Sequence, residues 1–318
     1  MRRPFAAPYF EQVSDPAQAD VIIFIEDDDG YIRQSPFYAQ YPTKCLVISG
    51  TDLPTFYLPA IYASNYRHLF SAHRTETYCY FSDERNPFIA QRKNAPVRKE
   101  VLLSFVGGAT SWTRKVLFRF SDQLAAPDVV IRPSDDYQHW TNEDSYLPTK
   151  RERQKEYAEL MGKSSFILCP RGAGHSSMRL FEAMEMGICP IILADGWIPP
   201  EGPDWKSCAL FLPESQVKES VALARKFAAS AETMGRQARE EYERFFSDES
   251  HSQRLHHLIL KVTASRQPAR EKVIHLVYPV YRGLKQIRAQ LHGRFRRIVL
   301  WIFKTFGWTF PYRLNRPT

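Results

Sequence analysis

The sequence contains little cysteine, and the few cysteines it has exclude several kinds of protein. Five cysteines occur in 318 residues, an odd number at irregular spacings, and no two of them form a Cys-x-x-Cys pair. Such a set provides neither the disulfide framework of a small secreted domain nor the ligand spacing of a zinc site. We therefore expect reduced thiols, a cytoplasmic protein and no metal centre.

Long apolar runs are also absent. The N-terminal stretch MRRPFAAPYFEQVSDP has two arginines, but Pro4, Pro8, Glu11 and Asp15 interrupt any run of signal-peptide length. No run in the C-terminal part reaches the ~20 apolar residues that a membrane span requires. With 44% hydrophobic and 25% charged residues, the composition is that of a globular chain. A chain of this size can form one large domain or two small ones, and we expect two.

Acidic residues are absent after Glu271. Residues 272–318 carry ten lysines and arginines, and removing these from the formal net charge of +8 leaves −2 for the rest of the chain. The body is therefore nearly neutral, and a basic groove running across the whole protein, as a nucleic-acid binder needs, is not indicated. We expect no nucleic-acid partner. The minor alternative, a basic nucleic-acid protein, predicts salt-sensitive binding of DNA or RNA by residues 272–318.

Apolar residues recur in the tail at spacings of three and four, with basic residues between them. This pattern predicts a basic amphipathic helix that lies on an anionic membrane surface, which would make the protein peripheral on the inner face of the membrane. The alternative is a C-terminal helix that packs back on the body. The apolar positions are Leu284, Ile287, Leu291, Phe295, Ile298, Ile302 and Phe306.

Buried-strand patterns end at polar turns in three places. Residues 19–25 (ADVIIFI), 44–48 (KCLVI) and 101–106 (VLLSFV) are short apolar runs rich in β-branched residues. They are followed by acidic or glycine-containing turns and separated by longer polar or helical stretches. This alternation is typical of parallel α/β construction, in which ligands bind at the carboxyl ends of strands.

The clearest local pattern is a strand, loop, helix and strand within residues 165–193. A strand at 165–169 (SFILC) leads into the loop PRGAGHSS at 170–177. A helix at 178–186 and a second strand at 188–193 (ICPIIL) follow, and then Asp195. The predicted helix begins directly after a glycine-containing loop, and such helix N-termini bind anions.

The residues of this loop and helix suit a diphosphate. Gly172 and Gly174 allow close approach of the backbone to a phosphate, Arg171 lies in the loop, and Arg179 lies in the first helical turn. A cation there opposes the helix dipole, and an anion nearby would offset that cost. Glu182 shares a face with Arg179, and taken alone these features are explained more simply by an ion pair between them and an ordinary turn.

The full segment SSFILCPRGAGHSSMRLFEAMEMGICPIILADGW resembles the signature of the exostosin family of glycosyltransferases (family 47). The matching parts are Cys-Pro-Arg-Gly at 169–172, Arg-Leu-Phe-Glu-Ala at 179–183, Gly187, Pro190 and Asp195. Weaker similarity covers roughly residues 9–246. The resemblance implies a GT-B-like α/β fold, with two Rossmann-like domains, a cleft between them, and here a basic C-terminal helical tail. We place the acceptor-side domain at 1–148, the nucleotide-sugar-binding domain at 149–265 and the tail at 266–318.

The resemblance also implies donor-binding residues. These are Arg171, Gly172, Gly174, His175, Ser177, Arg179, Glu182 and Asp195. For His175 a solvent-facing loop position explains the residue equally well, and Asp195 either touches the donor or orders the loop to Trp197. The family binds its donor without a metal, so no cofactor is expected. The three aspartates at 27–29 are accordingly interpreted as the turn after a strand and not as a metal-binding motif.

The reaction so implied is transfer of a sugar from a UDP- or GDP-sugar to a glycan or lipid-linked acceptor, with inversion, in surface polysaccharide synthesis. The activity would be of the hexosyl- or glycuronosyltransferase type. Asp52 is the candidate base, with an Asx turn before Pro54 as its alternative, and Glu26 is the reserve. A competing hypothesis is a catalytically silent sugar-nucleotide or glycan-binding subunit that supports a partner transferase.

Overall fold

A computed structural model describes residues 5–25, 27–80, 86–92, 98–134 and 147–305, with side chains between 150 and 287 in the last range. The strands are β1 (Ile22–Phe24), β2 (Cys45–Ser49), β3 (Ala60–Tyr62), β4 (Thr75–Thr77), β5 (Val101–Gly107), β6 (Val129–Pro133), β7 (Ser164–Pro170), β8 (Cys189–Leu193) and β9 (Leu210–Phe211). The helices are α1 (Asp29–Gln34), α2 (Pro36–Gln40), α3 (Pro87–Arg92), α4 (Trp112–Arg119), α5 (Ser121–Leu124), α6 (Leu147–Lys163), α7 (Met178–Glu185), α8 (Trp205–Cys208), α9 (Ser220–Lys226), α10 (Ala231–Phe245), α11 (Asp248–Ala264) and α12 (Pro268–Thr305).

The strands form two sheets, and every pairing in both is parallel. The first sheet has the order β1-β2-β3-β4 and the second has the order β6-β5-β7-β8-β9. All residues of β2 and β8 are buried, as expected for inner strands covered on both faces. The sheets confirm the predicted α/β class with two parallel halves.

Two strands, β5 and β6, lie in a different half from the one that the sequence suggested. The predicted acceptor-side domain ended at residue 148, yet β5 pairs with β7 through Leu103 and Phe166 and with β6 on its other side. The division between the two sheets therefore lies before Val101. The reason is physical, because a buried apolar strand carries no local signal of which sheet it joins, and that depends on pairing with residues sixty positions away.

The two sheets share a hydrophobic core. One cluster of buried side chains contains Ile48 and Ile61 from the first sheet together with Ile167 and Ile192 from the second. A second cluster covers the opposite face of the second sheet. Alternate residues of β7 belong to different clusters because side chains along a strand point to opposite faces. Both sheets lie in one compact unit, Met1–Arg266.

Helix α11 closes this unit against the first sheet. It contacts β3 and β4. The Tyr78 hydroxyl lies 3.0 Å from His251 Nδ1, and Lys261 Nζ lies 2.9 Å from Glu76 Oε1. Arg266, just after the helix, donates to the carbonyl oxygens of Thr43 and Cys45 beside β2. The first sheet is thus covered by a helix from the far end of the unit.

The second unit, Gln267–Thr318, contains α12. This helix is 38 residues long and has Pro279 in its interior. It confirms the predicted helical tail and starts sixteen residues before the first apolar position of the predicted stripe. Among the helices that the structure describes, none is both long and apolar enough to cross a membrane.

Candidate active site

The loop after β7 lies at the carboxyl edge of the second sheet. The amide of Arg171 donates to Leu193 O at 2.9 Å, which continues the ladder with β8, and the amide of Gly172 donates to Ser176 O at 3.2 Å. These bonds make a tight loop just before α7. Ser177 occupies the N-cap position of α7 but makes no capping bond with its side chain. The sequence correctly located this loop and helix because their pattern is local.

Glu214 holds Arg171 in place. Arg171 Nε donates to Glu214 Oε2 at 3.2 Å, and the buried Thr113 hydroxyl donates to the same oxygen. The amide of Asp195 donates to Glu214 Oε1 at 3.1 Å, and the amide of Glu214 donates back to Asp195 Oδ1 at 3.0 Å. Asp195 thus orders the loop after β8, which is one of its two predicted roles. Glu214 itself was missed because nothing near it in sequence marks it.

Two guanidinium groups lie on the ring of Phe105. Arg179 Cζ is 4.6 Å and Arg114 Cζ is 5.5 Å from the ring centroid. Arg179 Nη2 donates to Val106 O at 2.5 Å, and Arg114 Nη2 donates to Pro170 O at 3.1 Å. Both arginines therefore cap carbonyl oxygens where β5 and β7 end.

The positive charges of Arg114 and Arg179 are not balanced by the groups that accept their hydrogen bonds. Among the described residues, no carboxylate forms an ion pair with Arg114 or Arg179, and their hydrogen-bond acceptors are neutral oxygens. Burial, together with the nearby charge of Arg179, lowers the pKa of Arg114 to about 9. Arg179 Nε is buried and has no hydrogen-bond partner. A buried donor without an acceptor costs about 1 to 3 kcal/mol. The site is therefore electrostatically suited to an anion.

Glu182 and Arg179 both contact Tyr157. The Tyr157 hydroxyl donates to Glu182 Oε2 at 2.9 Å, and Arg179 Cζ is 5.7 Å from the centroid of the Tyr157 ring. Burial and the Glu182 charge raise the pKa of Tyr157. Glu182 also lines a pocket that is open to solvent. The other lining residues are Cys79, Tyr80, Asn86, Ile89, Met178, Phe181, Glu185 and Tyr242.

The carboxyl edges of the two sheets face each other. The His175 ring stacks on Tyr66 with centroids 4.2 Å apart, and the Ser176 amide donates to Ser64 Oγ at 3.2 Å. Trp197 Nε1 donates to Ala63 O at 3.2 Å. Residues after β3 thus contact the loops after β7 and β8, so that His175 and Ser176 lie at the junction of the two sheets.

His175 packs across this junction. Burial and the charge of Arg171 lower the pKa of His175 below its usual value near 6.5, so the ring is mainly neutral at pH 7. Its Nδ1 is buried without a hydrogen-bond partner. The alternative prediction of a solvent-facing loop histidine does not describe this position. A sequence reading could not show the tyrosine that stacks on it from the other sheet.

Gly174 brings the donor-side loop onto Asp52. A Cβ built on Gly174 would lie 2.2 Å from Ser64 Oγ and 2.7 Å from Asp52 Oδ1, closer than any real contact. Glycine is thus needed for packing between the halves, whereas the sequence suggested approach to a phosphate. Asp52 is exposed, and Tyr80 donates to its Oδ1 at 3.4 Å. The reserve candidate, Glu26, lies outside the described residues.

The acidic triplet after β1 has internal partners. Asp28 caps α1 by accepting from the amides of Gly30 and Tyr31. Asp27 accepts from the Thr55 amide at 2.5 Å, the Thr55 hydroxyl at 2.7 Å and the Tyr62 hydroxyl at 3.0 Å. This is the turn after a strand that the sequence predicted. The carboxylates of Asp27 and Asp28 accept hydrogen bonds from neighbouring loops and from the helix N-terminus.

Asp27 predicts a pH dependence of stability. Burial raises its pKa from 3.8 to about 6, although the bonds from Thr55 and Tyr62 oppose that shift. Because the folded state binds this proton more tightly, Asp27 stabilises the fold fully below pH 3.8, and the contribution is lost as the pH rises through 6. Urea unfolding should show that wild type gains about 1 kcal/mol over Asp27→Asn between pH 7.5 and 5. Parallel pH profiles of the two proteins would contradict this assignment.

The comparisons with known proteins match the part of the chain that forms this site. The model of the exostosin GT47 domain matches residues 60–227. A probable glycosyltransferase of Arabidopsis thaliana is 28% identical over 166 residues, which cover 50% of this chain and 29% of that protein. An exostosin-1 homolog of Caenorhabditis elegans is 33% identical over 94 residues, which cover 29% of this chain and 21% of that protein. The chain thus matches less than a third of the length of either relative.

Two solved structures are similar at low scores. TarM has a TM-score of 0.39 and 9% identity, with 68% of this chain and 55% of that chain covered. MurG of Acinetobacter baumannii has a TM-score of 0.38 and 10% identity, with 77% of this chain and 74% of that chain covered. The fold assignment rests on the strand order of the chain itself. Since the family model spans both the junction of the sheets and the loop, helix and strand of the site, the chain belongs to the exostosin GT47 family.

Proposed function

We propose that the protein is a glycosyltransferase whose nucleotide-sugar donor binds at the carboxyl edge of the second sheet. The observation that carries this proposal is the pair of guanidinium groups on Phe105. They are held by neutral carbonyl oxygens, and Arg179 keeps a buried Nε without an acceptor. A diphosphate supplies both the negative charge and the acceptor atoms that this site lacks.

The donor would be held by three kinds of contact. Arg179 and Arg114 face the diphosphate, and the uncapped first turn of α7 adds amide donors and the positive end of the helix dipole. Arg171, fixed by Glu214, binds from the loop. Glu182 accepts hydrogen bonds from the ribose hydroxyls. We propose that these cations replace a metal ion in donor binding, so that the reaction needs no cofactor.

The reaction is a displacement at the anomeric carbon. The acceptor oxygen forms a bond to that carbon while the bond from the carbon to the diphosphate breaks, and the nucleoside diphosphate leaves. Arginines at the diphosphate stabilise the charge that develops on the leaving group. Asp52, which lies beside the loop at Gly174, takes the proton of the acceptor hydroxyl. A single displacement of this kind inverts the configuration.

Membership of the family supports a proposal for the donor and acceptor classes. We propose a UDP- or GDP-sugar as donor, a hexose or uronic acid as the sugar, and a glycan or lipid-linked molecule of surface polysaccharide synthesis as acceptor. We place the reaction in the cytoplasm, on the inner face of the membrane. Supporting a reducing compartment, all five cysteines are free and buried.

A thermal-shift screen of UDP-, GDP- and TDP-sugars tests the donor proposal. A ligand that binds only the folded state stabilises it by RT ln(1 + [L]/Kd), which is about 2.7 kcal/mol at a hundred times Kd. At least one nucleotide sugar should raise the Tm, and it should raise the Tm of Arg179→Ala less. The absence of stabilisation by every nucleotide sugar would count against the proposal. Stabilisation without any turnover would favour the catalytically silent subunit.

A further inference from the structure

Helix α12 carries a stripe of exposed apolar side chains. Six large apolar residues between 273 and 287 are 40% to 78% exposed. Because successive residues of an α-helix are about 100° apart, these six positions fall within an arc of about 100°. They are Val273, Leu276, Val277, Val280, Leu284 and Ile287. The stripe thus begins eleven residues before Leu284, where the sequence pattern alone had placed its start.

Glu271, in the first turn, is the one acidic residue of this helix. After Glu271 the chain has no acidic residue, and Lys272 and Lys285 are exposed beside the stripe. A second copy of the helix packed along the same face would bring like charges together in an apolar contact, which is unfavourable. An anionic surface with an apolar interior offers apolar contacts to the stripe and negative charge to the lysines.

We propose that this stripe is a docking surface for anionic lipid, on which α12 lies parallel to the membrane plane. The apolar side chains enter the acyl boundary while Lys272 and Lys285 meet the headgroups. The sequence continues apolar residues at the same spacing through Leu291, Phe295, Ile298 and Ile302. No described helix is long and apolar enough to cross a membrane, and the proposed contact is a peripheral one. It does not depend on the proposed transferase activity.

Flotation of the full chain with vesicles tests the proposal, using phosphatidylcholine with and without phosphatidylglycerol. Val280→Glu places a charge in the stripe, and Gln286→Glu adds the same charge to an exposed position outside that arc. Wild type and Gln286→Glu should float with the anionic vesicles. Val280→Glu should bind at least about tenfold more weakly, and wild type should lose binding with high salt or neutral vesicles.

The other outcomes overturn the proposal. Equal flotation of wild type and Val280→Glu would show that the stripe is not the lipid contact, and so would failure of wild type to float. Light scattering distinguishes the remaining case, because a dimer that Val280→Glu converts to a monomer would assign the stripe to a second copy. Nucleotide-sugar binding by Val280→Glu should equal that of wild type, so that failure of lipid docking is distinguishable from failure of the donor site.

Discussion

Replacing Asp52 with asparagine is expected to lower the turnover of sugar transfer by about 10²- to 10⁴-fold, the usual contribution of a general base. Asparagine has a similar shape but cannot accept the acceptor's proton. Asp52 follows β2 of the first sheet and lies beside the loop that carries Arg171, at the junction of the two sheets. The affinity for the nucleotide should change little. Steady-state rates with the donor found in the screen measure this effect.

Asp128→Asn is the matched control for this variant. Asp128 forms an ion pair with Arg225 2.5 Å away, at the other end of the second sheet, before β6. Removing one carboxylate there should leave turnover within about twofold, because a surface ion pair contributes little. If Asp52→Asn weakened nucleotide binding and spared turnover, Asp52 would be a packing partner of Gly174, and the base would lie elsewhere in the cleft.

Replacing Arg179 with alanine is expected to weaken nucleotide-sugar binding by about ten- to a hundredfold. The lost contact is a charge-assisted hydrogen bond, which contributes about 1.5 to 3 kcal/mol. Arg179→Lys should lose nearly as much, because lysine cannot keep the bond to Val106 O, the contact with Phe105 and a bidentate phosphate contact together. A thermal-shift titration over donor concentration gives both affinities.

A purely structural role for Arg179 predicts a different result. Its removal would then lower the melting temperature of the free protein and leave the affinity of the folded protein unchanged. Arg225→Ala serves as the control, since it removes an arginine from an exposed ion pair away from the site. That variant should bind donor as wild type does.

The donor-side half of the site was predictable because its signals are local. A buried strand, a glycine-containing loop, a helix and a second buried strand follow one another within thirty residues, and the structure has them as β7, α7 and β8. Each element is specified by its own apolar period and by a turn or cap at its ends. The position of Arg171 and Arg179 at the carboxyl edge of a parallel sheet follows from that order.

The partners of those residues were not predictable. Arg114 and Glu214 reach the site from α4 and from the turn after β9, and each lies more than thirty residues from the arginine it accompanies. Their neighbours in sequence give no hint of a site. Only the parallel pairing of β5, β7 and β8 brings these segments to one edge. Long-range contacts of this kind require the fold itself.

Short strands of the first sheet were missed for a related reason. β3 and β4 have three residues each, and β4 is Thr-Glu-Thr, with no apolar run that could mark it. β4 is a strand because it pairs with β3. Buried Arg74, just before β4, donates hydrogen bonds to the carbonyl oxygens of Phe56, Phe70 and Tyr57. The first sheet is therefore specified more by tertiary contacts than by local pattern.

Calorimetric titration of wild type, Arg179→Ala and Glu182→Gln with the best nucleotide from the screen tests the central claim most directly. The three proteins are compared at the same pH and salt, with their melting curves as proof of folding. We predict that wild type binds, and that both variants remain folded and bind about ten- to a hundredfold more weakly, since each loses a charge-assisted contact to the diphosphate or the ribose. Unchanged nucleotide affinity in both folded variants would contradict the donor site and, with it, the proposed transferase.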